Sequence, residues 1–417
     1  MSEGMAVVGL GRVGLPFSVA FASRGLRVVG VDRDPKLLEL LRRGLPPFRE
    51  EGLEELLAKV LSEGRFTVTG EIREAVEGAE TVVITVGTPL GQDLVPDLTP
   101  LYQVVEGLSR SPLKGKLIVL RSTVPPGTTE NVGRILAEKT GLEPGRDFHL
   151  AYCPERILEG RALEELRTLP EIVGGWNEES SERAARLFRL LNPSKKILKV
   201  SPRVAELAKL FTNIYRYVNF ALANQLALVA EHYGVDAYEA IRVANEDYPR
   251  SRIPLPGPAG GPCLYKDGYM LNYTPFIDFI KSAWHLNESI PLHLLSRMKE
   301  RVGSLFGKKV ALLGLAFKAD SDDTRQSPAL KLLNALRAEG CEVVAHDPHV
   351  ESSPLSSALS GAEVVVLAVN HSKFRELTPS LLAGMVKPGA LLVDCWGFFN
   401  PSEVEKAGLK YLGLGRG

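Results

Sequence analysis

MAVVGLGRVGLP, residues 5–16, is the stretch from which the architecture follows. Met5–Gly9 is an apolar run of strand length with no helical period, and Leu15–Arg24 behind it reads as a helix. Between them the chain turns over Gly9, Gly11 and Gly14. In such a turn the first glycine permits the tight bend. The second lets a pyrophosphate approach the backbone, and the third lets helix and strand pack closely. The helix start then presents free amides to a phosphate. The next apolar run, Arg27–Asp32, ends on an acid 18 residues beyond Gly14.

A carboxylate at Asp32 accepts hydrogen bonds from adenosine ribose hydroxyls and repels a 2′-phosphate, which favours NAD over NADP. Gly9, Gly11, Val13, Gly14 and Asp32 form the expected cofactor cradle. The grammar repeats outward. Thr81–Val86, Lys116–Arg121 and His149–Tyr152 read as buried strands, and Pro35–Arg43 and Thr128–Lys139 as helices. The loops VGTP (86–89, with Thr88) and STVPPGT (122–128, with Thr123) leave the carboxyl ends of their strands, where open α/β sheets bind ligands.

From Ser201 the pattern changes. Ser201 is a plausible N-cap and Pro202 a first-turn residue, and Val204, Leu207, Ala208, Phe211, Ile214 and Val218 follow the helical period. Gly234 supplies a stop. If unbroken, the helix is about 45–50 Å long at 1.5 Å per residue. Apolar residues around much of its circumference need cover, so we expect a homodimer or higher homo-oligomer. Leu255–Gly261 reads as a flexible Pro/Gly loop, and Tyr269–Phe306 as mostly helix. KKVALLGLAF (308–317) then echoes the opening strand and turn. Lys309–Leu315, Glu342–His346, Glu363–Val369 and Ala390–Asp394 follow as strands, with Leu330–Glu339 a helix. The fold class expected is α/β, with two Rossmann-like doubly wound parallel-sheet domains joined by a long central helix and a helical middle region. The expected boundaries are 1–200, 201–306 and 307–417.

Composition narrows the function classes. Fifty basic residues balance fifty acidic ones in 417, so there is no electrostatic footprint for nucleic acid or an anionic membrane. No apolar run reaches the roughly 18 residues of a membrane span. The N-terminus lacks a signal-peptide pattern. Cys153, Cys263, Cys341 and Cys395 form no CxxC pair, which leaves no recognisable zinc site and points to a reducing compartment. The expectations are no metal, no membrane insertion and a cytoplasmic location.

GPAGGPCLYKD (257–267) sets Cys263 at a helix start beside Lys266, both of which favour thiolate. Asp267 lies one turn on, on the same face. Oxidising an alcohol to an acid removes two hydrides, and a thiolate that captures the intermediate aldehyde keeps it from escaping. An ammonium steadies the alkoxide, and a general base activates first the alcohol and then water.

GLGRVGLP, STVPPGT, CPER followed by Glu159–Gly160, AELAKLFTNIYRYVNFALANQ, GGPCLYKD and FKADSDDTRQSP occur in this order. Together they resemble the UDP-sugar 6-dehydrogenases, UDP-glucose dehydrogenase and its UDP-N-acetylhexosamine relatives, over essentially the whole chain. The resemblance implies an NAD-dependent four-electron oxidation of a UDP-sugar C6 alcohol to the uronate. It implies that Cys263 is the nucleophile and that Lys209 and Asn213 steady the oxyanion and hold substrate. Asp267 and Thr123 position water or relay protons, and Glu155 assists thioester hydrolysis. By the same resemblance Glu159 and Arg325 contact cofactor, while Lys318 and Gly260 contact the UDP-sugar. An arginine ahead of the glycine loop, supplied by a neighbouring subunit, matches Arg250 best, with Arg252 its competitor. The family's role in surface polysaccharide supply is likewise only implied.

CPERIL and LPEIVGG resemble the N-acetylhexosamine branch, whereas Pro262 and Lys266 depart from it. We expect UDP-N-acetyl-D-mannosamine or UDP-N-acetylglucosamine ahead of UDP-glucose. Two further readings stay open: a two-electron hydroxyacid-type dehydrogenase, and a non-catalytic sensor of NAD and nucleotide sugar.

Overall fold

In the computed structural model, residues 4–250, 252–272, 274 and 277–416 are described. Met1–Glu3, ahead of the opening stretch, and Tyr273, Pro275 and Phe276, within the expected second helical region, lie outside them. The chain forms two compact units, Met1–Thr212 with Tyr269–Thr274, and Asn213–Gly268 with Pro275–Gly417.

The first unit holds β1 (Gly4–Val8), β2 (Arg27–Val31), β3 (Phe66–Thr69), β4 (Thr81–Ile84), β5 (Leu117–Leu120), β6 (His149–Tyr152), β7 (Glu171–Gly175) and β8 (Ile197–Val200). Their order in the sheet is β3-β2-β1-β4-β5-β6-β7-β8. Pairing is parallel except between β6 and β7. The strand order reverses between β1 and β4, the crevice where a nucleotide binds in such sheets. β1, β5 and β6 are buried along their whole length, which is why they read as continuous apolar runs. Two apolar layers, one on each face, complete the core.

The second unit holds β9 (Lys309–Leu313), β10 (Glu342–His346), β11 (Val364–Leu367), β12 (Leu391–Asp394) and β13 (Lys410–Gly413), all parallel, in the order β10-β9-β11-β12-β13. Ser327 caps the helix Pro328–Ala338 by accepting from the Ala329 amide, with proline in the first turn.

The long helix is a single element, Pro202–His232, of 31 residues. Ser201 Oγ accepts from the Val204 amide at 3.4 Å. The apolar stripe read from the sequence is buried only in part. Val204 and Phe211 are exposed, Phe211 at 57%. The buried face carries Ala205, Glu206, Lys209, Leu210, Asn213, Tyr217 and Asn224 instead.

Other expectations need correction. β3, β7, β8 and β13 were not legible in the sequence. β3, β8 and β13 are sheet edges with half-exposed, polar-containing sequences, so the buried-run signature is missing. β7 is EIVGG, whose paired glycines read as a turn. At Gly174 a Cβ would lie 2.8 Å from the Pro202 Cα, so close packing excludes a larger residue there. The second helical region begins later than expected. A 3-10 turn spans Gly268–Leu271, and the helix itself is Asp278–Val302. Pro256–Gly261 is buried rather than flexible. Gly257 exchanges two hydrogen bonds with the Asn224 side chain, at 2.9 and 3.1 Å. A Cβ on Gly257 would meet Trp396 at 2.4 Å.

Candidate active site

In the first unit the three glycines occupy distinct environments. Gly9 has φ +98, which only glycine holds without strain. A Cβ on Gly14 would lie 1.8 Å from the Gly9 carbonyl oxygen, so helix and turn touch there. Gly11 faces open space, with nothing within 4 Å of a built Cβ. Close contact at the outer glycines and room at the middle one is the shape a pyrophosphate needs. Asp32 follows β2, and its carboxylate accepts from the Leu10 amide at 2.8 Å and the Asp34 amide at 3.1 Å. The acid is thereby held beside the glycine turn. Val13 sits at the N-cap of the helix Gly14–Ala22. These residues fit a dinucleotide.

Glu159 comes to 4.0 Å from Arg12 of the glycine turn, which places it at the rim of the cradle. The two loops expected at the cleft are laced together. Thr88 Oγ1 donates to the Thr123 carbonyl at 2.6 Å, and Ser122 Oγ donates to the Val86 carbonyl at 2.6 Å.

Glu155 follows β6 and is held by the Ile157 amide. Burial pushes its carboxyl above the ordinary range, while Lys209 and Arg121 pull it back. Lys209 itself is 4% exposed, so it is no solvated surface lysine. Arg121 donates to Glu171 at 2.7 Å and to the Cys153 carbonyl at 3.1 Å, with its guanidinium packed against both the Phe17 and Phe188 rings. Sequence reasoning missed Glu206. Fully buried on the long helix, it accepts from the Gly127 amide at 2.6 Å, the Thr129 amide at 2.8 Å and the Thr129 hydroxyl at 2.7 Å. It ties the STVPPGT loop to the helix one turn before Lys209. An acid in step with Lys209 on an inward face was the available signal.

In the second unit, Cys263 is the one exposed thiol of the four. Burial pushes the Cys153 and Cys395 thiols well up and Cys341 up, which suits none of them to nucleophilic work. Cys263 precedes the four-residue helix Leu264–Asp267. That helix is too short to supply the dipole expected from the sequence. What fixes the cysteine is its backbone. The Asp267 amide donates to the Cys263 carbonyl at 3.0 Å, and the Gly261 amide donates to the Gln326 carbonyl at 3.0 Å. Gly260 packs against Pro328, where a Cβ would come within 2.4 Å.

Asp267 is buried and accepts from Asn213 Nδ2 at 2.6 Å and from Lys266 Nζ at 3.0 Å. Lys266, near the thiol in sequence, thus also pairs with the acid. Asn213 follows Lys209 by one turn of the same helix. Behind Tyr265, the Lys331 ammonium lies 4.8 Å from the ring centroid and pairs with Glu288, which accepts from the Tyr217 hydroxyl at 3.2 Å. None of these supports was foreseen.

The remaining candidates are more dispersed. Arg250 stacks on Tyr248 at 4.7 Å and donates to its hydroxyl at 2.9 Å. Arg252 lines a surface groove of about 590 Å³ with Asn245, Asp247, Tyr248, Pro249 and Ile253. Lys318 is half-buried in the loop after β9. Arg325 forms a forked pair with Asp323, with contacts of 2.6–3.0 Å. Among the described residues no helix is long and apolar enough to cross a membrane.

Comparison with known proteins agrees with both sheets. Residues 3–192 match the NAD binding domain of the UDP-glucose/GDP-mannose dehydrogenase family, 203–284 its central domain and 311–401 its UDP binding domain. The UDP-N-acetyl-D-mannosamine dehydrogenase of Pyrococcus horikoshii is 36% identical over 422 residues, covering 99% of each chain. A solved structure of that organism's UDP-D-ManNAc dehydrogenase superposes with a TM-score of 0.93 over the full length of both chains. A UDP-glucose dehydrogenase from Pyrobaculum islandicum, 29% identical, gives 0.86 over 100% of this chain and 98% of that one. The chain belongs to the UDP-glucose/GDP-mannose dehydrogenase family, NAD-dependent enzymes with a dinucleotide-binding domain at the N-terminal end and a UDP-binding domain at the C-terminal end.

Proposed function

We propose that this enzyme oxidises the C6 alcohol of UDP-N-acetyl-D-mannosamine to the carboxylate, removing four electrons. The observation that carries the mechanism is the set around Cys263: an exposed thiol whose backbone is pinned by a buried Asp267, itself bonded to Asn213. The names of the most similar relatives, and CPERIL with LPEIVGG, favour the N-acetylmannosamine substrate.

Gly9, Gly11, Val13, Gly14 and Asp32 would hold NAD, with Thr88, Thr123, Glu159 and Arg325 at its borders, and the bound cofactor would supply the hydride acceptor for each oxidation. The chain's own residues do the rest. Asp267 and Thr123 relay the O6 proton through water to solvent, Lys209 stabilises the resulting alkoxide, and Asn213 holds that oxygen. The Cys263 sulfur bonds to the C6 aldehyde, giving a thiohemiacetal that becomes a thioester on the second oxidation. Asp267 and Thr123 orient a water, and Glu155 takes its proton as the C–S bond breaks and the thiolate departs. Raised above its ordinary range by burial, Glu155 is a stronger proton acceptor than an exposed carboxylate. Lys318, Gly260 and Arg250 bind the UDP-sugar, with Arg250 reaching it from a neighbouring subunit.

We assign the work to three parts: 1–200 for cofactor, 201–306 for catalysis and dimerisation, 307–417 for UDP. The enzyme acts as a homodimer through the long helix. On that helix Val204, Phe211, Tyr215, Leu222 and Val229 fall within about 40° of one another at 100° per residue. All five are exposed, Tyr215 at 70%. A stripe of that length and apolarity calls for a partner helix. Four cysteines that form no disulfide fit a reducing cytoplasm.

The deciding experiment is a panel of UDP-sugars with NADH counted per sugar consumed. Two NADH with UDP-N-acetylmannosamine is expected. One NADH would sink the thioester mechanism, and preference for UDP-glucose or UDP-N-acetylglucosamine would overturn the substrate.

A further inference from the structure

Three loops at the carboxyl edge of the second sheet gather residues that the proposed reaction does not use. Asp320 follows β9, His349 follows β10 and His371 follows β11. One ligand-type atom from each lies within 4.8 Å of the others. Asp320 Oδ1 is 3.6 Å from His349 Nε2 and 4.0 Å from His371 Nδ1.

The groups behind these atoms are ordered as at a metal centre. The Asp320 amide donates to His371 Nδ1 at 2.9 Å, so Nδ1 carries the lone pair. The proton is then on Nε2, which lies 3.0 Å from Asp347 Oδ2 and donates to it. A carboxylate behind one ring nitrogen, with the other nitrogen turned toward further donors, is the support that metal-binding histidines use. Asp347 is itself fixed by the Leu315 and Ala316 amides at 2.6 and 3.1 Å. The Asp320 carboxylate is held by the Ser372 amide at 2.9 Å and hydroxyl at 2.8 Å. Asp320 has φ +55, a left-handed conformation that turns its amide and its carboxylate to the same histidine. Its side chain is 50% exposed and opens the site to solvent, while His371 is fully buried.

We propose that Asp320, His349 and His371 bind one divalent transition cation of the zinc class. Two imidazoles and one carboxylate suit zinc, cobalt or nickel better than magnesium or calcium. A tetrahedral ion with bonds of about 2.0–2.1 Å sets ligand–ligand edges of about 3.3 Å. The two Asp320 pairs therefore need to close by well under an ångström, and the two histidine nitrogens, within 4.8 Å of each other, by up to about 1.5 Å. The ion replaces the Asp320 amide at the Nδ1 lone pair, leaving that half-exposed amide to water, and a further water fills the fourth position. The site ties the loops after β9, β10 and β11 together.

The test uses the full chain carrying Cys263→Ala, so that the exposed thiol supplies no ligand. The protein is stripped with a chelator and titrated with Co2+ and Zn2+. One equivalent retained per chain is expected, with a cobalt d–d spectrum free of sulfur charge transfer and a higher thermal midpoint with Zn2+. His349→Ala and Asp320→Asn should each weaken binding at least roughly tenfold. Asp320→Asn keeps its shape and its amide, so it reports on the ligand rather than the fold. No retained metal, or affinity unchanged in both variants, overturns the proposal.

Discussion

Replacing Asp267 with asparagine tests the anchor of the cysteine directly. The carboxylate is 1% exposed and serves two donors, Asn213 at 2.6 Å and Lys266 at 3.0 Å. Asparagine keeps the shape but offers one oxygen. Whichever way its amide turns, an NH2 meets either the Asn213 amide or the Lys266 ammonium. Losing a charge-assisted hydrogen bond costs about 1.5–3 kcal/mol. Breaking a buried ion pair costs about 3–5 kcal/mol. Lys266 retains 16% exposure, which lets it recover some solvation, so a loss of about 3 kcal/mol is the reasonable middle. If the same loss falls on the transition state, turnover drops roughly a hundredfold. The assay is steady-state NADH formation, with urea midpoints by circular dichroism and NAD affinity by fluorescence. NAD affinity should be unchanged, because the cofactor cradle belongs to the other compact unit. Activity within about threefold of the parent, a fraction of a kcal/mol, would refute the anchoring role.

Cys263→Ser should abolish net turnover yet keep UDP-sugar affinity by calorimetry; unchanged steady-state activity would end the covalent mechanism. Gly14→Ala puts a Cβ 1.8 Å from the Gly9 oxygen, so NAD affinity should fall at least roughly a hundredfold by fluorescence titration, with secondary structure retained. Phe211→Glu with Tyr215→Glu should yield monomers in sedimentation, and an intact dimer would move the interface elsewhere. Glu155→Gln bears on pH. The folded carboxyl titrates above its ordinary 4.5 because burial disfavours its charge. Its favourable contribution is complete below the unfolded value and is lost as pH rises through the folded one. Thermal scans should therefore show Glu155→Gln gaining on the parent at neutral pH, with the gain vanishing toward about pH 4.

Local chemistry made much of this protein legible in the sequence. Gly9, Gly11 and Gly14 fall between a buried strand and a helix, and backbone sterics allow few other structures there. Buried parallel strands need apolar residues on both faces, so β1, β5, β6 and β11 stood out as runs. The edge strands β3, β8 and β13 did not, because half-exposed strands carry mixed sequences. Cys263 could be singled out by its neighbours, yet the partners that hold those neighbours were not visible there. Lys266 turns to Asp267, and the loop of glycines is held rigid by Asn224 and Trp396. These outcomes depend on partners far along the chain.

The long helix shows the division most clearly. Its existence, length and stop were written in periodicity and in Gly234. Which face turns inward was not, since that depends on what the rest of the fold offers it. Glu206 found the free amides after Gly127, Asn213 found Asp267, and the most apolar stripe was left outside. Asp320, His349 and His371 are likewise distant in sequence, and the order of β10, β9 and β11 brings them together. A one-dimensional pattern specifies elements because propensity and burial act locally. Polar partnerships and shared loops arise from the packing of elements, so only the tertiary structure decided them.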